Sequence, residues 1–576
     1  MARFPAVAAA ALTLLVGCTT AVENRMAPPA QAPAQTQSWP AFVGRFIETT
    51  FKHEPTFAAY QGRHEYDGRL PDWSESGLSA GTQFLKDAIA EAETFPESSL
   101  TPEQRFERAY LISVARGELF WRDTADQPHT NPAYYSDSLS PSIYVARPYA
   151  APAVRLAAYI KYLNAVPQAA AQIRANLRTP QPLTFIEYGK ALFGGLAEYY
   201  LGDGKAAFAN VGAADQRGEL DRASRAAADA MSGLANWLEA QRPQATQGFA
   251  LGADRFAQML RDTEMVNTPI SELERIGRED LRRNQQALAA ACARYARGAT
   301  LQACMERMSA DKPRGGAVEG ARAQLAGLKA FVQQHNLVSV PGTEEALVEE
   351  APPFNRQNFA YIDIPGPYET NLPSVYYIAP PDPSWTADVR AAFVPGEKDL
   401  LFTSVHEVWP GHFLNFLHSN RSQFQFGKVF VGYAFAEGWA HYTEEMMIEA
   451  GLGEGDPETH IGQLSNALLR DCRFLSAIGM HTGRMTVEQS REMFKTECYQ
   501  DEGNARQQSA RGTYDPAYLN YTMGKLMILR LRDDWTAQRG GRSGWKAFHD
   551  QFLSYGGPPI PLVRAQMMGG APAAVF

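Results

Sequence analysis

The chain has 576 residues, with 54 basic against 63 acidic side chains and a formal net charge of −9. Its hydrophobic content of 45% and aromatic content of 11% support a substantial core and exclude global disorder. The acidic balance and the lack of a dense basic block exclude a nucleic-acid partner, and five cysteines are too few for a disulfide-built scaffold.

The chain opens Met1-Ala2-Arg3-Phe4, and an apolar run from Ala6 to Val16 leads to Gly17-Cys18. A basic start, a short apolar stretch and small residues at its end read as a secretory signal peptide over residues 1–17. That run is too short to remain as a membrane-spanning helix. Leu15-Val16-Gly17-Cys18 resembles the bacterial lipobox. The resemblance implies a lipid on Cys18, membrane contact through that lipid, and a place in the bacterial cell envelope, at the outer membrane or the periplasmic face. Residues 18–39, rich in Ala, Pro, Gln and Thr, show no period and read as a flexible tether.

Residues 40–340 read as an N-terminal helical region. Apolar residues recur at three- and four-residue steps over 79–94, 103–123, 154–178, 218–241, 270–297 and 317–335. Four cysteines remain beyond Cys18, and in an oxidising compartment they allow three pairings. Cys292 and Cys304 flank a turn at Gly298, and Cys472 and Cys498 flank one at Gly483. Two antiparallel helical hairpins favour these local pairs over four buried thiols. Residues 341–576 read as a C-terminal helical region that opens with a change of texture over 344–380. There the runs 359–362 and 374–378 predict strands bounded by prolines. Helical patterning resumes over 399–553. The fold class is mostly α, a large multi-helix body with a small β element, and 340/341 is either a domain boundary or a seam within one domain.

One stretch carries chemistry: Val405-His406-Glu407-Val408-Trp409-Pro410-Gly411-His412-Phe413. It begins like the zinc-peptidase pattern HExxH, in which a four-residue step puts both imidazoles on one helix face. Here the second histidine is six residues on, which in a regular helix is about 240° around and about 9 Å along. Two such rings cannot share one ion. Pro410 cannot donate to the His406 carbonyl, and Gly411 tolerates unusual backbone angles. The helix is therefore expected to break there and swing His412 back, with two structural histidines as the alternative. A second cluster follows. Glu437, His441 and Glu444 fall at i, i+4 and i+7 on one face of an otherwise apolar helix. Glu437 is the expected third ligand; Glu445 and Glu449 read as a solvated face.

The pair His406-Glu407-Val408-Trp409-Pro410-Gly411-His412 and Glu437-Gly438-Trp439-Ala440-His441-Tyr442-Thr443-Glu444-Glu445-Met446 resembles the bacterial domain-of-unknown-function family numbered eight-eight-five. Arg147-Pro148-Tyr149, Tyr376-Tyr377-Ile378-Ala379-Pro380-Pro381-Asp382 and the run Gly512 to Tyr521 support the resemblance. That family is similar in pattern to zinc metallopeptidases with a His-Glu motif and a downstream Glu ligand. The resemblance implies a mainly helical body with its site in a metallopeptidase-like cleft. Two positions depart from the family pattern. Phe413 stands where a second histidine often follows the Pro-Gly, and His441 stands where an apolar residue is common. His441 is thus either an alternative nitrogen ligand or a partner behind the ligands.

Further candidates lie downstream. Asp515-Pro516 reads as an N-cap and first helical residue, with Tyr514, Tyr518, Tyr521 and Lys525 near one side. Tyr518 and Tyr521 are candidates to donate to a tetrahedral oxyanion, as is His481; the alternative is core packing for the tyrosines and a helix cap for His481. Arg470, Arg473 and Arg511 are candidates for a substrate carboxylate, against solvated or paired arginines. The expected function is an envelope-anchored hydrolase of peptide or related amide bonds, acting on a short peptide or amide. One Zn2+ per chain would be held by His406, His412 and Glu437, with Glu407 as general base. The alternatives are a non-catalytic envelope lipoprotein with a structural or degenerate metal site, and hydrolysis of a non-peptide ester or amide.

Overall fold

The computed structural model describes residues 38–352, 356, 359–369, 371–570 and 574–576. The expected signal peptide, Cys18 and the tether up to residue 37 lie outside the described residues.

Each of the six periodic segments is a helix: Glu75–Thr94, Pro102–Leu119, Pro152–Asn176, Ala214–Glu239, Ile270–Tyr295 and Ala317–Gln334. Their ends follow local chemistry. Ser74 caps the first by accepting from the Gly77 amide, and Thr101 and Gln104 form a reciprocal capping box ahead of the second. Three of the longer helices among the described residues lie outside the predicted segments. Leu183–Leu201 is apolar around much of its circumference, which hides the helical period. Ala253–Glu264 is the shortest of the three. Trp39–His53 begins inside the stretch assigned to the tether, which corrects that boundary: Trp39 is buried and its indole donates to Glu107 at 2.8 Å.

The β element has three strands in the order β1-β3-β2: β1 (Ala346–Glu350), β2 (Ala360–Asp363) and β3 (Ser374–Ile378). β3 runs parallel to β1 and antiparallel to β2, with Val348 opposite Tyr376 and Tyr361 opposite Tyr377. The central strand is buried throughout, and after Ser374 its sequence is continuously apolar and aromatic. The edge strand β1 leaves Leu347, Glu349 and Glu350 exposed and carried no comparable signal.

The main core joins the first helix to the C-terminal half; Phe46, for example, lies 5.7 Å from Phe426. A second core lies within residues 59–238, around Tyr135, Leu163, Phe193 and Leu234. The main core runs across 340/341, and polar contacts cross it too. Asn284 donates to Asp471 at 2.7 Å, and Arg147 grips Asp363 on β2 through Nε at 3.0 Å and Nη2 at 2.6 Å. Both expected disulfides are present, Cys292–Cys304 with Cα atoms 5.9 Å apart and Cys472–Cys498 at 6.4 Å. Among the described residues no helix is long and apolar enough to cross a membrane.

Candidate metal centre

The helix Glu397–Glu407 is regular to its end, where the Val408 amide still donates to Ser404 at 3.0 Å. Pro410 has no amide to continue the ladder. Gly411 then folds back: its amide reaches the Val405 carbonyl at 3.0 Å, and a Cβ on it would sit 1.8 Å from the His406 carbonyl oxygen. Only glycine fits there. The Trp439 indole holds the turn by donating to the Pro410 carbonyl at 2.8 Å. A new helix, His412–Ser419, starts at once. The expected break is thus present, and it brings the His406 and His412 rings to 4.7 Å, nearly perpendicular.

Glu437 comes from the helix Tyr433–Glu449. That helix touches the helix Asn520–Thr536 backbone to backbone, because a Cβ on Gly438 would meet Gly524 Cα at 2.5 Å. The approach seats Tyr521, one turn before Gly524, beside the histidines; its ring lies 6.3 Å from that of His406. The Glu437 carboxylate Oε2 stands 3.2 Å from His406 Nε2 and 3.3 Å from His412 Nε2. All three donor atoms lie within 4.8 Å of one another. Tetrahedral ligands at zinc distances are about 3.4 Å apart, so the two short edges have metal size. The residues therefore fit a zinc ion.

The supporting groups are buried. His406 Nδ1 is 2.8 Å from Glu444 Oε1, which orients the ring so that Nε2 faces Glu437 and His412. Arg470 pairs with the same carboxylate oxygen at 3.2 Å. His441 Nδ1 reaches the other Glu444 oxygen at 3.3 Å, so His441 stands behind the three convergent groups and not among them. Burial alone would raise the Glu444 pKa, but Arg470 and His441 hold it well below the usual range. Burial likewise opposes ionisation of Glu437, and His412 and His406 outweigh it. For His406, burial and Arg470 push the pKa down, while Glu437 and Glu444 raise it to about 9. Burial lowers His441 to about 4, so it is neutral at pH 7. Three buried nitrogens of this cluster, His412 Nδ1, His441 Nε2 and Arg470 Nε, have no partner among the described residues.

Glu407 follows His406 at the helix end, is 9% exposed and is close enough to Tyr376 on β3 to help burial raise that phenol. Tyr521 is gathered into the site; His481 and Tyr518 are not. His481 lies eleven residues beyond Arg470 on the helix Pro457–His481, about 16 Å along its axis. Its Nε2 bonds the Gly512 carbonyl at 2.7 Å, its Nδ1 accepts from the Leu251 amide, and its ring stacks on Phe256. With both nitrogens committed to backbone it cannot donate to an oxyanion, which corrects that expectation. Tyr518 is fully buried against Gly512, where a Cβ would meet its hydroxyl at 2.2 Å. Asp515 accepts from Arg511 at 2.9 Å and caps no amide. Glu445 is buried and paired with Arg283 and Lys525, not solvated, and Glu449 pairs with Arg532. Sequence spacing put Glu444 on the Glu437 face but showed nothing of its link to His406, and no local signal marks Gln508, which accepts from Arg473.

The family described as bacterial protein of unknown function (DUF885) matches residues 55–567. The chain belongs to that family. No curated protein matches it. Two solved structures share the fold of this DUF885 protein. One, a candidate lipoprotein of unknown function from Shewanella oneidensis, has 23% identity and a TM-score of 0.76, covering 92% of this chain and 100% of its own. The other, a candidate lipoprotein from Colwellia psychrerythraea, has 16% identity and a TM-score of 0.77, covering 92% of this chain and 98% of its own. At these identities the likeness concerns the fold alone.

Proposed function

We propose that this DUF885 protein is a zinc-dependent hydrolase of peptide or related amide bonds, held at the cell envelope by a lipid on Cys18. The convergence of His406 Nε2, His412 Nε2 and Glu437 Oε2 within 4.8 Å, with Glu407 next in sequence to His406, carries the reading. A zinc ion held by these three side chains supplies a Lewis acid that polarises a carbonyl and makes water more acidic. Glu407 takes the proton from the attacking water and returns it to the leaving amine. Tyr521, whose ring lies 6.3 Å from that of His406 and whose pKa burial raises, would donate toward the developing oxyanion. Glu444 orients His406, and Arg470 fixes Glu444. Substrate approaches from the side of His412 and Glu437, whose side chains are 13% and 20% exposed while Glu444 is sealed.

Metal analysis of the purified mature protein should give one zinc per chain. Glu407→Gln should keep that zinc and lose about 100-fold or more of the turnover of a peptide library. Zinc retained with wild-type turnover in this variant would remove Glu407 from the chemistry, and protein that binds no zinc would end the reading. The lipobox-like sequence at Cys18, and the description of both structural relatives as candidate lipoproteins, support the location. Cys18→Ala should move the protein from the membrane to the soluble fraction, and unchanged fractionation would refute the anchor.

A further inference from the structure

Three arginines surround Tyr521. Their guanidinium carbons lie 5.7 Å (Arg470), 4.8 Å (Arg473) and 5.9 Å (Arg511) from its ring centroid. Two of the three are neutralised locally. Arg470 pairs with Glu444 at 3.2 Å, and Arg511 pairs with Asp515 at 2.9 Å while donating to the Tyr433 hydroxyl at 3.0 Å. Arg473 differs. It is only 8% exposed, its Nε donates to Gln508 Oε1 at 2.8 Å, and among the described residues no carboxylate lies within ion-pair distance of it. Burial and the charges of Arg511 and Arg470 all work against its ionisation and lower its pKa. A buried guanidinium with no counter-charge is costly, and the cost is recovered when a ligand brings the anion. With Nε held by the neutral Gln508, both Nη nitrogens remain to form the fork that matches a carboxylate.

The position of this cation is informative. Arg473 stands one turn beyond Arg470, about 5 Å along the helix, and Arg470 touches the carboxylate that orients His406. Tyr521 bridges the two places, with one neighbour His406 and another Arg473. With Tyr521 6.3 Å from the His406 ring and 4.8 Å from Arg473, the unmet positive charge lies at most about 11 Å, or about three residue lengths, from that histidine, within reach of the carboxy end of a peptide bound at the histidines. A free amino terminus would meet three cations here, and the nearby carboxylates Glu444 and Asp515 are already paired. An internal stretch of chain would bring no charge to offset Arg473.

We propose that Arg473, steadied by Gln508 and Tyr521, binds the terminal carboxylate of a peptide substrate, so that the protein trims peptides from their carboxy end. The proposal rests on the hydrolase reading above. It is tested by calorimetric titration of the zinc-loaded Glu407→Gln protein with N-acetyl-Ala-Ala-Phe and with the C-terminal amide of the same peptide. The acid should bind about tenfold or more tightly than the amide, as expected for a desolvated charge-assisted pair. Arg473→Gln in that background should erase this preference and leave the amide affinity within about twofold, since only a charged partner is lost. Equal affinities in the parent, binding of neither peptide, or a preference that survives Arg473→Gln would overturn the proposal. If Arg473→Gln does not fold, the parental acid-to-amide ratio decides alone. Turnover by the wild-type protein is read separately. Release of phenylalanine from the acid and not from the amide supports carboxy-terminal trimming, and cleavage of both at one rate overturns it. An acid preference in binding with neither peptide cleaved leaves the carboxylate subsite standing and removes the hydrolase reading instead.

Discussion

Glu444 and Glu445 are adjacent, both buried, and belong to two different charge networks. Glu445 enters a closed one. Arg283 and Lys525 face Glu445 and Asp280, with Lys525 Nζ 2.7 Å from Asp280 and 3.4 Å from Glu445. Burial would raise Glu445, yet Lys525 and Arg283 hold it at about 2. Asp471 beside them is raised by burial and by Asp280, and accepts from Asn284. Two cations thus meet two anions. Glu444 enters an open network: it engages His406, His441 and Arg470, beyond them two imidazoles and the Glu437 carboxylate converge, and His412 Nδ1 and His441 Nε2 have no partner among the described residues. Paired charges are what a structural network needs, whereas the orphaned histidine nitrogens of the open network support the binding-site proposal above.

Lys525→Met breaks the closed network with the largest effect. It strands Asp280 and Glu445, and urea unfolding should show a loss of about 3–5 kcal/mol. Zinc per folded chain should not change; zinc lost in proportion to stability would mean that the two networks are one. Glu444→Gln sharpens the contrast from the other side. It keeps an acceptor for His406 Nδ1 but removes the charge, and competition with a chelator should show zinc affinity about 10–100-fold lower. Glu445→Gln, one residue on, should leave that affinity unaltered.

The difference between the networks also explains what could be read in advance. His406, Glu407, Pro410, Gly411 and His412 announce a broken helix because each exception is local: a missing amide, a missing side chain, a six-residue step. Glu437 was legible from helical spacing. The partners of Glu444 and Glu445 were not, since helix periodicity gives a face and not what it meets; both residues sit on an apolar helix, and only the fold brings Arg470 to one and Lys525 to the other. His481 and Tyr518 misled for the same reason. Their residue types suit catalysis, but both pack at Gly512, His481 through a contact 31 residues away in sequence, and so belong to the core. The helical hairpins around Gly298 and Gly483 needed only local geometry, and both disulfides follow them.

His481 supplies the mildest test, because it is a buried histidine without a metal role. Burial dominates its titration and the Gly512 carbonyl only partly offsets it, so its pKa falls to about 4. The unfolded value is about 6.5. A folded pKa below the unfolded one means that the stabilising contribution is complete above about pH 6.5 and is lost as pH falls toward 4. Between pH 7 and pH 5 the wild-type protein should lose about 1–2 kcal/mol through this ring. His481→Gln keeps a donor for Gly512 and cannot take up the proton, so its stability should fall less over that interval by the same amount. The pH dependence of zinc binding is common to both proteins and cancels in the difference. Equal slopes would show that the ring is protonated in the fold or reached by water, and a change in zinc content would place His481 within the metal site after all.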